Sequence, residues 1–228
     1  TPTGASVGTK QGFSIIKYTG NGNADQYVPH GLNETPVFIF HKNLSNDANW
    51  LVRTTVIDGS IDYSTLNSTA VFNNAGGSYA NAWTSTKFSI GEDGLSNTDT
   101  DSYIAYCWHE VEGLQRFGVY TGNGQTNGAY VELGFRPALV VCKRTDSTAN
   151  WNVFDNVRGT TNLNYYYYYL NTTTNSQNDG TNGMDFLANG FKCRGNLDNI
   201  NTNDEQYVYM AWAESPFHNM YGATGVGR

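Results

Sequence analysis

The apolar runs of this chain are short, and the gaps between them are crowded with Gly, Asn and Thr. That mixture predicts strands joined by turns rather than helices. Residues 12–17 and 116–120 read as opening strands, each closed into a hairpin by a Gly-Asn-Gly turn at 20–22 and 122–124, where positive φ is tolerated best by Gly and Asn. Residues 37–42 and 138–143 read as buried strands entered after Pro36 and Pro137, and Trp50 and Trp151 begin the strands that follow. Asn189-Gly190, between the apolar runs 184–187 and 191–193, predicts a hairpin, and 103–108 and 207–212 close each sheet.

The same blocks recur in the same order about 101 to 104 residues apart. Tyr18-Thr19-Gly20-Asn21-Gly22 returns as Tyr120-Thr121-Gly122-Asn123-Gly124, and Ala48-Asn49-Trp50 returns as Ala149-Asn150-Trp151. Lys42 is matched by Lys143, Leu66-Asn67 by Leu170-Asn171, Phe88 by Phe191, and 103–110 by 207–214. This period is too long for a solenoid unit of roughly 20 to 50 residues and suits a unit with its own core. The expected architecture is all-β: two tandem similar β-sandwich modules, jelly-roll-like, at 11–112 and 113–218, with an N-terminal lead at 1–10 and a C-terminal tail at 219–228. The link at 111–115 is short for a flexible tether, which favours a fixed relative orientation. One larger, interleaved sandwich is the open alternative.

Charge and cysteine usage narrow the partners. The chain has 228 residues, of which only 14% are charged, with a net charge of −7. That field repels a phosphate backbone, and no Lys/Arg cluster opposes it locally, so nucleic acid is not an expected partner. No apolar run approaches the roughly 20 residues of a membrane helix, and 1–10 lacks a signal pattern. The absent initiator Met suggests a fragment or a processed chain. Cys107, Cys142 and Cys193 are an odd set inside apolar runs, which predicts buried free thiols rather than disulfides.

The blocks 117–124, 134–140, 143–146, 187–192 and 207–217, with 103–108 and 83–86 in the first copy, resemble a repeated module of phage structural proteins. Such modules occur in tail-fibre-like proteins of marine and cyanobacterial phages, and the similarity runs over nearly the whole chain. The resemblance implies a virion appendage, with fibre oligomers that are often threefold, and it brings no catalytic residues with it.

Weighed singly, most candidate chemistry reads as structure. Gly4-Ala5-Ser6-Val7-Gly8 fits a nucleophile-elbow spacing, but without the buried strand before it and the helix after it. His30, His41, His109 and His218 lack zinc-site spacing. Glu110 and Glu214 hold matching places, which suits a shared fold role better than a glycosidase carboxylate pair. Asp99, Asp101, Asp198, Asp204 and Glu205 sit with Asn in loops and are calcium candidates without EF-hand spacing; otherwise no cofactor is expected. Trp50, Trp108, Trp151 and Trp212 recur in both copies, which points to packing.

Residues that differ between the copies carry more information. Tyr165, Tyr166, Tyr167, Tyr168 and Tyr169 must alternate faces in a strand, leaving two or three phenols for solvent or a neighbouring chain; Trp83 and Tyr79 are the unmatched aromatics of the first copy. These are the candidate ligand-contact residues. The leading expectation is a non-enzymatic structural and adhesive segment of a phage tail fibre, virion-borne, self-associating (as a trimer, by the resemblance) and engaging a host-surface glycan or protein without membrane insertion. A secreted bacterial filament or surface adhesin, extracellular or on the cell surface, and a glycan-active β-sandwich hydrolase are the alternatives.

Overall fold

The computed structural model describes residues 2–91, 94–174 and 176–216. Phe217, His218 and the proposed tail at 219–228 lie outside the described residues. Strands dominate; among the described residues, helix is limited to a 3-10 turn at Gly77–Ala80 and one α-helical turn, α1, at Asp198–Asn201. The chain divides into one unit of 1–67 and 72–110 and a second of 68–71 and 111–228.

The first unit contains β1 (Pro2–Gly8), β2 (Phe13–Thr19), β3 (Gln26–Pro29), β4 (Phe38–Asn43), β5 (Leu51–Thr54), β6 (Asp62–Thr65), β7 (Asn73–Asn74), β8 (Lys87–Ile90) and β9 (Ser102–Trp108). Its large antiparallel sheet runs β1-β2-β9-β4-β5-β6-β7, and β3 pairs with β8 in a small one. Alternation along β9 buries Tyr103, Ala105 and Cys107, and these join Ile16, Tyr18 and Ile39 from the large sheet with Val28, Phe88 and Ile90 from the small one in a single core.

The second unit contains β10 (Gln115–Thr121), β11 (Asn127–Glu132), β12 (Pro137–Arg144), β13 (Asn152–Asp155), β14 (Tyr166–Tyr169), β15 (Gln177–Asn178), β16 (Gly183–Leu187), β17 (Gly190–Arg194) and β18 (Gln206–Ala213). Its sheets run β10-β18-β12-β13-β14-β15 and β11-β17-β16. Tyr120, Val140, Cys142, Phe154 and Tyr207 of the first sheet meet Val131, Met184, Phe186, Phe191 and Cys193 of the second in its core. Without β1 and β16, the strand orders of the two units are the same.

The repeated sequence blocks make repeated bonds. Tyr18 Oη donates to Ser96 O, and Tyr120 Oη to Ile200 O. The Tyr103 hydroxyl accepts from Thr98 N, as Tyr207 does from Thr202 N. Asn67 Oδ1 accepts from Trp50 N and Asn171 Oδ1 from Trp151 N. Lys42 and Lys143 donate to Ala48 O and Ala149 O. Fully buried Asn97 and Asn201 accept from Asn21 N and Asn123 N.

Several local expectations change. The segment expected as a lead is an edge strand, β1, paired with β2, because its alternating backbone completes the sheet edge although its side chains stay largely exposed. The Gly-Asn-Gly segments do not close hairpins: they carry the chain from one sheet to the other. Gly22 and Gly124 do take positive φ, whereas at Gly20 and Gly122 a Cβ would stand 2.1 and 2.2 Å from Thr98 O and Thr202 O. The hairpin at 187–190 forms with Ala188-Asn189 as its turn, and Gly190 already belongs to β17, where a Cβ would meet Val131 O at 2.0 Å. Strands β9 and β18 come last in each unit but lie inside their sheets. All three cysteines are buried free thiols.

Candidate functional site

The five tyrosines do not form one surface. Tyr167 faces the core, tilted against Phe154 at 5.3 Å and edge-to-face with Tyr169 at 5.6 Å. On the other face Tyr168 lies 4.4 Å beneath the Arg158 guanidinium, and Tyr166 is exposed; Tyr165 tilts against Tyr166 at 5.1 Å. Alternation therefore spends half of the run on packing.

Tyr79 and Trp83 are brought together, around a third residue that sequence reading did not single out. Fully buried Arg53 on β5 has its guanidinium carbon 5.0 Å from the Tyr79 ring centre and 5.2 Å from that of Trp83. It donates to Tyr79 O at 2.8 Å, to Ser89 Oγ at 2.9 Å and to Ser89 O. The two aromatics thus house a desolvated cation. Burial first, and the Arg53 charge second, hold His41 well below the usual imidazole range.

The calcium candidates are spent separately. Asp101 Oδ2 accepts from Asn43 and Asn46, Asp198 Oδ1 from Thr202, and Asp204 Oδ2 from Asn203; Asp99 is exposed in the turn that abuts Gly22. Among the described residues, no group of three or more His, Cys, Asp or Glu gathers as for a metal ion. Glu214 pairs with Arg136 at 2.9 Å and accepts from Asn156, and Glu110 is exposed. Gly4–Gly8 of the elbow-like motif lies in β1, with Ser6 opposite Ile15.

One buried carboxylate is pushed toward its protonated form. Asp62 is buried and its Oδ2 has no hydrogen-bond partner; burial, then the charge of Asp58, raises it to about 6 from 3.8. Between those values the folded state holds a proton that the unfolded state has released, so this residue's contribution to stability falls as pH rises through the window. Asp62→Asn should therefore gain in melting temperature over the parent progressively from about pH 4 to about 6, and by a constant margin above, in thermal scans across pH. A pH-independent difference would refute this.

Among the described residues, an open cleft of about 540 Å³ lies on the small sheet of the second unit. Thr126 and Asn127 at the start of β11, Asp185 on β16 and Arg194 on β17 line it, with Asn162, Leu163 and Thr181 from the loops before β14 and β16. Strand alternation sends Met184 and Phe186 into the core and turns Asp185 away from it. Arg194 Nε meets Asp185 Oδ2 at 2.6 Å, and Arg194 Nη1 donates to Asn127 Oδ1 at 2.9 Å. Asn162 grips the β16 backbone from the far wall, donating to Phe186 O and accepting from Phe186 N. The result is a fixed pair of opposite charges flanked by amides, suited to hydrogen-bonding a polar ligand.

None of these cleft residues was singled out from sequence. The available signal was Asp185 itself, a lone charge inside the apolar run Met184-Asp185-Phe186-Leu187. Among the described residues, strand β16 has no counterpart in the first unit, so the cleft lies where the two halves diverge. No curated protein and no solved structure matches the chain. Residues 2–216 match the family model described as domain of unknown function DUF7483, and the chain belongs to that family.

Proposed function

We infer that this protein is a non-enzymatic structural and adhesive segment of a virion appendage such as a phage tail fibre, built from two tandem copies of one β-sandwich module. In this reading it associates with copies of itself along a fibre, in a trimer if the usual fibre symmetry applies, and engages a host-surface glycan. The single observation that carries the reading is the duplication of bonds: the residues repeated between the units tie corresponding strands and loops in place by the same hydrogen bonds. Repeated Tyr, Asn, Trp and Lys residues are thereby accounted for as fold residues. The carboxylate that comes closest to a catalytic candidate, Glu214, is tied to Arg136 and Asn156. The outcome is a scaffold that multiplies surface, which is what an adhesive fibre requires.

The test exposes host-surface polysaccharide to the purified chain and follows both retention and reducing-end release. Retention without release is expected, and Glu110→Gln and Glu214→Gln should behave as the parent does. Sustained release abolished by either substitution would overturn the reading in favour of hydrolysis.

A further inference from the structure

We propose that the cleft of the second unit binds a neutral saccharide, with a vicinal diol held between the Asp185 carboxylate and the Arg194 guanidinium. This rests on the adhesive reading above and assigns it a place and a ligand chemistry. The pair is half used by the protein: Asp185 gives Oδ2 to Arg194 Nε, and Arg194 gives Nη1 to Asn127. Asp185 Oδ1 and Arg194 Nη2 have no protein partner among the described residues, on side chains that line the cleft. One is an acceptor only and the other a donor only. Adjacent sugar hydroxyls match that arrangement, because one can donate to the carboxylate while its neighbour accepts from the guanidinium.

Charge selects the neutral member of the class. The Asp185–Arg194 pair is balanced, so an anionic sugar gains an attraction and a repulsion together, on a chain whose net charge is −7. Leu163 adds an apolar wall for the C–H face of a pyranose, and Asn127 and Thr181 supply further polar groups around the rim. Asp185 and Arg194 stand on paired strands, with Asn162 clasping the next backbone unit, so the donor and acceptor are positioned before ligand arrives. The strand that carries Asp185 is also the one without a counterpart among the described residues of the first unit, which makes binding a property of one half of the duplicated scaffold.

The test uses the whole chain and defined probes: mannobiose, galactobiose and their sulfated forms, read by amide chemical-shift changes and by calorimetric titration. At least one neutral disaccharide should shift the amides of Asn127, Asp185 and Arg194, and Asp185→Asn and Arg194→Lys should each weaken it about tenfold. Asn127→Ala, at an exposed position, should weaken it less, and it preserves the test if Asp185→Asn fails to fold. Preference for the sulfated forms, or shifts confined to residues outside the cleft, would overturn the proposal. Retention of the parent on host polysaccharide that both charge-pair variants keep in full would also overturn it while leaving the adhesive reading intact. Failure of the parent to be retained on any polysaccharide would sink that reading itself.

Discussion

Arg53→Ala is expected to cost about 4 kcal/mol of stability, read as a lower urea midpoint at unchanged slope. The guanidinium is fully buried, and truncation leaves Ser89 O and Tyr79 O without their donor and opens a void between the Tyr79 and Trp83 rings. Arg53→Lys keeps the charge but not the planar fork that reaches Ser89 and Tyr79 together, so it should recover only part of the loss. The Ala variant losing less than about 1 kcal/mol would mean that Tyr79 and Trp83 collapse onto each other at little cost, and the cation-housing role would be wrong. Loss of the Arg53 charge should also let the His41 imidazole titrate at higher pH, since that charge is the second cause of its depression.

Asn201→Ala should cost about 3 kcal/mol, more than any single hydrogen bond supplies. The side chain works in both directions at once. Its Oδ1 accepts from Asn123 N at 3.0 Å, and its Nδ2 donates to Gly195 O at 2.7 Å and Gln125 O at 3.0 Å. With no water-exposed surface at the residue, removal leaves the Gly195 carbonyl buried and unpaired and strips the part-buried Asn123 N and Gln125 O of their partner. Asn97→Ala should reproduce the loss, because Asn97 makes the corresponding bonds to Asn21 N and Asn23 O. Exposed Asn196 is the control, where Ala should change stability by no more than about 0.5 kcal/mol. Equal effects at Asn196 and Asn201 would remove the case for a buried lock.

Strand identity was readable because it is local. The runs that became β2, β4, β9, β12 and β18 carry their apolar residues close together, and the matched blocks one period apart announced a second set of the same elements. The asparagine locks were readable in principle: Asn97-Thr98 and Asn201-Thr202 recur 104 residues apart, in the loops taken for calcium candidates. They escaped notice because Asn in a polar loop reads as solvated until the loop is seen folded over the Tyr18 and Tyr120 strands. The Gly-Asn-Gly segments misled for a related reason. Turn chemistry reports the local φ, here positive at Gly22 and Gly124, but not which strand comes next to pair.

By itself the sequence determined that the chain is β-rich and internally repeated, that its thiols are buried, and that about half of the tyrosine run would face away from the core. Only the tertiary structure decided that the last strand of each unit enters the interior of its sheet, that Tyr79 and Trp83 enclose Arg53, and that Asp185, Arg194 and Asn127 share a cleft. The physical reason is range. Burial propensity and strand alternation act between neighbours along the chain, whereas pairing order and polar partnership depend on which distant segments return to the same place.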